Sequence, residues 1–91
     1  MHTSTWQMHI DVFEEDGHTR AEAVLRTDRG TELRQVGIAR RRPGDRDVPE
    51  IGDELAVCRA LSGLVHELID ASVADIEAND PRVRRATVEV D

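Results

Sequence analysis

The chain predicts an α+β fold, a three-stranded antiparallel meander packed on one long C-terminal helix. Two patterns carry this reading. Apolar residues alternate with polar ones in three successive runs before residue 40, and beyond residue 50 they recur every three or four positions. A period of two marks a half-buried strand, and a period near 3.6 marks an amphipathic helix. The stretches between the runs are too short for a parallel crossover, so neighbouring strands must run antiparallel.

The first run extends from Trp6 to Phe13. It sets Trp6, Met8, Ile10 and Val12 on one face and Gln7, His9 and Asp11 on the other. Glu14-Glu15-Asp16-Gly17 follows as a turn, with Gly17 able to take a positive φ. The second run, Thr19 to Arg26, directs Ala21, Ala23 and Leu25 inward and Arg20, Glu22 and Arg26 outward, and Asp28-Arg29-Gly30 ends it. In the third, Thr31 to Arg40, Leu33 is out of phase with Val36 and Ile38, which predicts a bulge between Arg34 and Gly37.

Arg41 to Pro49 reads as a polar loop around Pro43-Gly44. The helix is predicted over residues 51–78, on a stripe of Leu55, Cys58, Leu61, Val65, Leu68 and Ile69 extended by Ile76. Two starts compete: a capping box from Asp47 to Glu50, or Asp53 as the cap. Asn79-Asp80-Pro81 is the stop. Such a helix is roughly 40 Å long, against about 27 Å for an eight-residue strand, so part of it must overhang the sheet or break. Residues 84–90 alternate again and read either as a short fourth strand or as a tail. The core expected from these phases joins Ile10, Val12, Ala23, Leu25, Ile38, Leu55, Leu61, Val65 and Leu68.

Residues 1–91 make one domain, since a second would need more chain. Trp6 and Phe13 are the only aromatic residues, so the core is built from small aliphatic side chains and gains little area per residue. A second copy of the chain is one way to cover what remains, which makes a homodimer the expected state. The formal net charge of -7 repels phosphate backbones at long range. Every basic residue is Arg, as a GC-rich genome would produce. A single cysteine allows neither an internal disulfide nor a multi-cysteine metal site. No secretory signal and no apolar run of membrane-spanning length is visible, so a cytoplasmic protein is expected.

Few residues carry chemistry. Arg40, Arg41 and Arg42, with Arg46 close by, could bind an anion or a nucleic-acid backbone, or could pair with Asp45, Asp47 and Glu50 in a solvated loop. His66 and Asp70 share a helix face and His9 and Asp11 share a strand face, but two ligands do not make a metal site. Cys58 lies on the apolar stripe and reads as a small buried hydrophobe. Ala56, Ala60 and Gly63 place small residues along one side of the helix, fitting either its own sheet or a second helix. Val57, Leu64 and Val73 fall outside the main stripe and are the candidate self-association residues. Neither a nucleophile elbow, a phosphate loop nor a cofactor motif is present. The expected function is a non-enzymatic, self-associating interaction module, with anion or nucleic-acid binding through the arginine loop as the alternative.

The run from Gly37 through Arg40-Arg41-Arg42-Pro43-Gly44 and Val48-Pro49-Glu50-Ile51-Gly52-Asp53-Glu54 to Leu61, with the second strand from Arg20 to Thr27, resembles a small actinobacterial family of uncharacterised proteins. The resemblance covers roughly Trp6 to Ala78. It implies a fold like the double-stranded-RNA-binding domain and no assigned activity. In true duplex-RNA binders, lysines at the start of the helix after the third strand grip phosphates. Here Glu50, Asp53 and Glu54 stand at that place, where carboxylates favour the helix and oppose a phosphate. A generic RNA duplex is therefore expected not to bind at physiological salt. A titration giving sub-micromolar, salt-dependent affinity that disappears when Arg40, Arg41 and Arg42 are replaced would reverse this expectation.

Overall fold

The computed structural model describes residues 1–44, 46 and 48–80. The alternative readings of residues 84–90 lie outside the described residues. Three strands, β1 (Gln7–Glu15), β2 (His18–Arg26) and β3 (Glu32–Arg40), precede one helix, α1 (Pro49–Asn79). The sheet has the order β1-β2-β3 and is antiparallel throughout. β1 and β2 are joined by Asp16 and Gly17 alone, with φ of 50° and 76°. Positive φ at both positions is the geometry whose twist matches the flanking strands, and Asp-Gly accepts it readily.

α1 lies across β3 and β2 and reaches β1 only at its margin. Its position is set by small residues. A side chain at Gly37 would collide with the backbone of Ala56 and Ala60 and come within 2.9 Å of the Arg59 Cβ. Two other glycines also make room: Gly52 for the Thr19 hydroxyl, and Gly63 for the Gln35 side chain. Gln35 then donates from Nε2 to Glu67 Oε2 at 3.2 Å. The core joins Ala21, Ala23, Leu25 and Ala39 of the sheet to Ala56, Ala60 and Leu64 of the helix, with Ile10, Leu33, Val57, Leu61 and Leu68 partly buried around them. On β3, the Arg59 guanidinium donates to the Ile38 carbonyl.

Four expectations about this core change. β2 and β3 pair residue for residue from His18↔Arg40 to Arg26↔Glu32, without a bulge. Leu33, Gln35, Gly37 and Ala39 consequently face the helix. Ile38, 47% exposed, and Val36 sit on the open face. Next, α1 is turned about its axis relative to the expected stripe. Leu64 is 2% exposed and Val57 packs against the core, whereas Leu55, Val65 and Ile69 face solvent. The self-association candidates Val57 and Leu64 are therefore sheet-facing, and of the three only Val73 remains outside. The cause is the small-residue ridge: Ala56 and Ala60 let two backbones approach where leucines would hold them apart. Third, Cys58 is exposed instead of buried, because it shares the outward face. Lastly Val12, although on the helix side of β1 as expected, stays 41% exposed because α1 does not lie over that strand.

The helix begins at Pro49, with Val48 in the cap position and no side-chain cap. Proline suits the first turn, where its missing N–H has no partner to lose. Asp53 lies inside the helix and is not its cap, and Asp47 is outside the described residues. From Ile69 to Asn79 every residue is exposed. At 1.5 Å per residue α1 is about 46 Å long, and nine-residue strands reach only about 31 Å, so the last turns overhang as expected.

Two substitutions separate the ridge from the outer face. Gly37→Ala forces a Cβ against helix backbone that cannot rotate away, and should cost about 3 kcal/mol or more. Leu64→Ala should cost ~2–5 kcal/mol, well above Val65→Ala in the monomeric chain. Urea unfolding of the three variants checks the order; equal losses for Leu64 and Val65 would show that the helix is phased differently.

Candidate functional site: a cavity at the start of the helix

The loop between β3 and α1 folds over the hairpin turn. Its anchor is the Arg41 N–H, which donates to the Gly17 carbonyl at 2.9 Å. Val48 N–H donates to Arg46 C=O at 3.1 Å, and Ile51 N–H to Val48 C=O at 3.1 Å, which winds the chain into the first helical turn. Between this loop, the turn and the helix start lies a cavity of about 400 Å³. Its floor is apolar, made by Ala39, Val48, Ile51 and Leu55. Gly17 and Gly52 leave the walls without side chains, and Thr19, 4% exposed, lies between them. Arg40, Arg41 and Arg46 also belong to the lining, with Glu14 as the one carboxylate among the described residues.

The sequence grouped Arg40, Arg41, Arg42 and Arg46, and the structure brings three of them to this cavity. Arg42 does not line it. No ion pair joins Arg40, Arg41 or Arg46 to a carboxylate among the described residues, whereas Arg20, Arg26 and Arg34 on the open face of the sheet are each paired with Glu22 or Glu32. On β3 the alternation that turns Ala39 to the helix sets Arg40 with Ile38 on the open face, which leaves Arg41 and Arg46 as the guanidinium groups on the helix side of the sheet among the described residues. Thr19 and the apolar floor were not singled out by sequence. The available signal was the antiparallel register, which sets Thr19 opposite Ala39 at the sheet end nearest the helix start.

The other candidates gain nothing. His66 donates from Nδ1 to the Ser62 carbonyl at 2.8 Å within the helix, and Asp70 is exposed. His9 Nε2 and Asp11 Oδ1 are 3.0 Å apart on the exposed face of β1. Among the described residues no three metal-ligating side chains come together. No helix there is long and apolar enough to cross a membrane.

The same architecture occurs in a crystal structure of Rv2632c, with a TM-score of 0.77 and 41% sequence identity over 89% of this chain and 98% of that one. In sequence, the chain is 53% identical over 73 residues to the uncharacterized protein Mb1767 of Mycobacterium bovis, covering 80% of this chain and 77% of that protein. It is 44% identical over 75 residues to the uncharacterized protein Rv2632c of Mycobacterium tuberculosis, covering 82% and 80% respectively. The model of the Rv2632c-like family matches residues 4–85, which takes in all three strands, the arginine loop and the whole helix, and the chain belongs to that family.

Proposed function

We propose that the chain is a non-enzymatic interaction module that self-associates as a homodimer, the two copies meeting through the outward faces of α1. One observation carries the reading. Val65, Ile69, Val73 and Ile76 recur at spacings of three and four along the side of α1 that faces away from the sheet, each about half exposed, while Ile51 and Leu55 nearer the helix start line the cavity. An apolar stripe of this length adds up to several hundred Å², the size at which a surface patch marks an interface.

A second copy suits the stripe better than a short peptide. Apolar positions at steps of three and four stay in register along a neighbouring helix. The overhang from Ile69 to Asn79 has no sheet beneath it among the described residues, and an unsupported helical segment of that length is marginal in water. It also ends in Asp75, Glu77 and Asp80 with no basic residue in its last turn, an unfavourable arrangement for the helix dipole. Packing against the same segment of a second molecule supplies the missing support. A two-fold axis buries one patch twice and closes the assembly. The small core adds to the tendency: five of its eight buried hydrophobic residues are alanines, which contribute little area each.

Sedimentation of the full chain at micromolar concentration should give twice the chain mass. Val65→Glu and Ile69→Glu should each yield a folded monomer with an unchanged far-UV spectrum, while Leu64→Glu should unfold the chain. Because both partners are acidic, added salt should tighten the dimer. A wild-type monomer unchanged as concentration rises would rule the reading out, and so would a dimer indifferent to Val65→Glu and Ile69→Glu together.

A further inference from the structure

We propose that the cavity at the start of α1 binds a small organic anion, its carboxylate or phosphate head at the arginine mouth and its apolar body on the floor. This goes beyond self-association and does not depend on it. Three features converge on one ligand class.

The first is shape and size. A concave space of about 400 Å³ falls within the usual range for small-molecule sites, where most of the lining is apolar and a few polar groups orient the ligand. Next comes charge. Arg41 and Arg46 present planar donors that match the oxygens of a carboxylate or phosphate, and no described carboxylate pairs with them. Glu14 on the same wall opposes a second anionic group and limits the ligand to one head.

The third feature is Thr19. It is 4% exposed and lines the cavity. Among the described residues the buried side-chain atom without a partner is Glu67 Oε1, so the Thr19 hydroxyl is a polar group on the cavity wall and not an orphan. Its Oγ1 lies 2.7 Å from where a Cβ on Gly52 would stand, so the hydroxyl occupies the space that the glycine vacates in the first turn of the helix. As both donor and acceptor it can orient a ligand oxygen that reaches past Gly52. The helix start adds no further attraction, because Glu50 in its first turn already answers the macrodipole.

The floor distinguishes this ligand from a free inorganic ion. Ala39, Val48, Ile51 and Leu55 offer nothing to a hydrated phosphate, but they cover a short alkyl or aryl body. Duplex RNA is too wide to enter, so the proposal agrees with the expectation that RNA does not bind.

Titration of the ¹⁵N-labelled full chain with octyl phosphate, decanoate and inorganic phosphate tests the site. Octyl phosphate or decanoate should saturate at sub-millimolar concentration and shift the amides of Thr19, Ala39 and Gly52, and whichever binds more tightly identifies the head group. Inorganic phosphate should bind at least tenfold more weakly. Arg41→Gln combined with Arg46→Gln should weaken the organic anion at least tenfold, and Thr19→Val should weaken it several-fold. Thermal unfolding should show both variants folded, and Val65→Glu should bind as wild type does. The proposal fails if neither organic anion saturates by several millimolar, or if saturation shifts other amides. Binding that survives the double arginine change, or inorganic phosphate binding as tightly as octyl phosphate, would also overturn it.

Discussion

The structure depends on one close approach, that of α1 to β3 at Gly37. There the backbone of Ala56 and Ala60 occupies the volume in which any side chain on Gly37 would lie. Dispersion attraction falls steeply with separation, so a contact between small residues is strong only when both sides are small at the same point. Ala21, Ala23 and Ala39 continue that condition along the sheet. The resulting interface is close and thin, and it gains its stability from proximity more than from the area of large side chains. Leu25, Leu61, Leu64 and Leu68 fill the space towards one end, where helix and sheet diverge.

That contact fixes the rotation of the helix and thereby sorts every other apolar residue. With Ala56, Ala60 and Leu64 inward, the residues about half a turn away must point out, whatever their hydrophobicity. The helix is apolar on two sides, and this is why its phase was not legible from periodicity alone. Leu55, Val65 and Ile69 make a heavier stripe than Ala56, Ala60 and Leu64, so a count weighted by hydrophobicity chooses the wrong face. The glycine and the alanines held the missing information. Gly63 with Ala56 and Ala60 marked a close contact, and only the geometry of β3 shows that the contact is with the chain's own sheet.

What was legible follows the same logic. Strand order, the Asp16-Gly17 turn and the helix stop before Pro81 were readable because each rests on local chemistry: a period of two, a positive φ, a proline. The helix start was not, since Pro49 read as loop and neither Asp47 nor Asp53 was found as its cap. The phase of β3 was not, because Val36 and Ile38 are large apolar residues on a solvent-facing side. They invite a bulge that would turn them inward, but the uninterrupted pairing with β2 leaves them out. The arginine cluster was visible as a group, but the cavity behind it required the third dimension. It unites residues from the first hairpin, the end of β3 and the first helical turn, which no spacing rule connects. Open-face arginines that looked equally free in sequence are matched with glutamates across or along strands.

The Arg59 guanidinium on the Ile38 carbonyl has a bearing on how such a sheet can grow. A three-stranded sheet has two borders, and each is a template for another strand. The border formed by β3 lies beneath the helix, and one of its acceptors is already taken. Among the described residues the border formed by β1 has no such guard. Strand addition is thus polarised: an incoming segment can extend the sheet beyond β1 but must displace a charged side chain to do so beyond β3. A block with one receptive border can be completed by a single neighbour, and it cannot propagate in both directions. The same arginine that ties helix to sheet therefore also works against open-ended polymerisation, a hazard for a small, alanine-cored protein with apolar surface to spare.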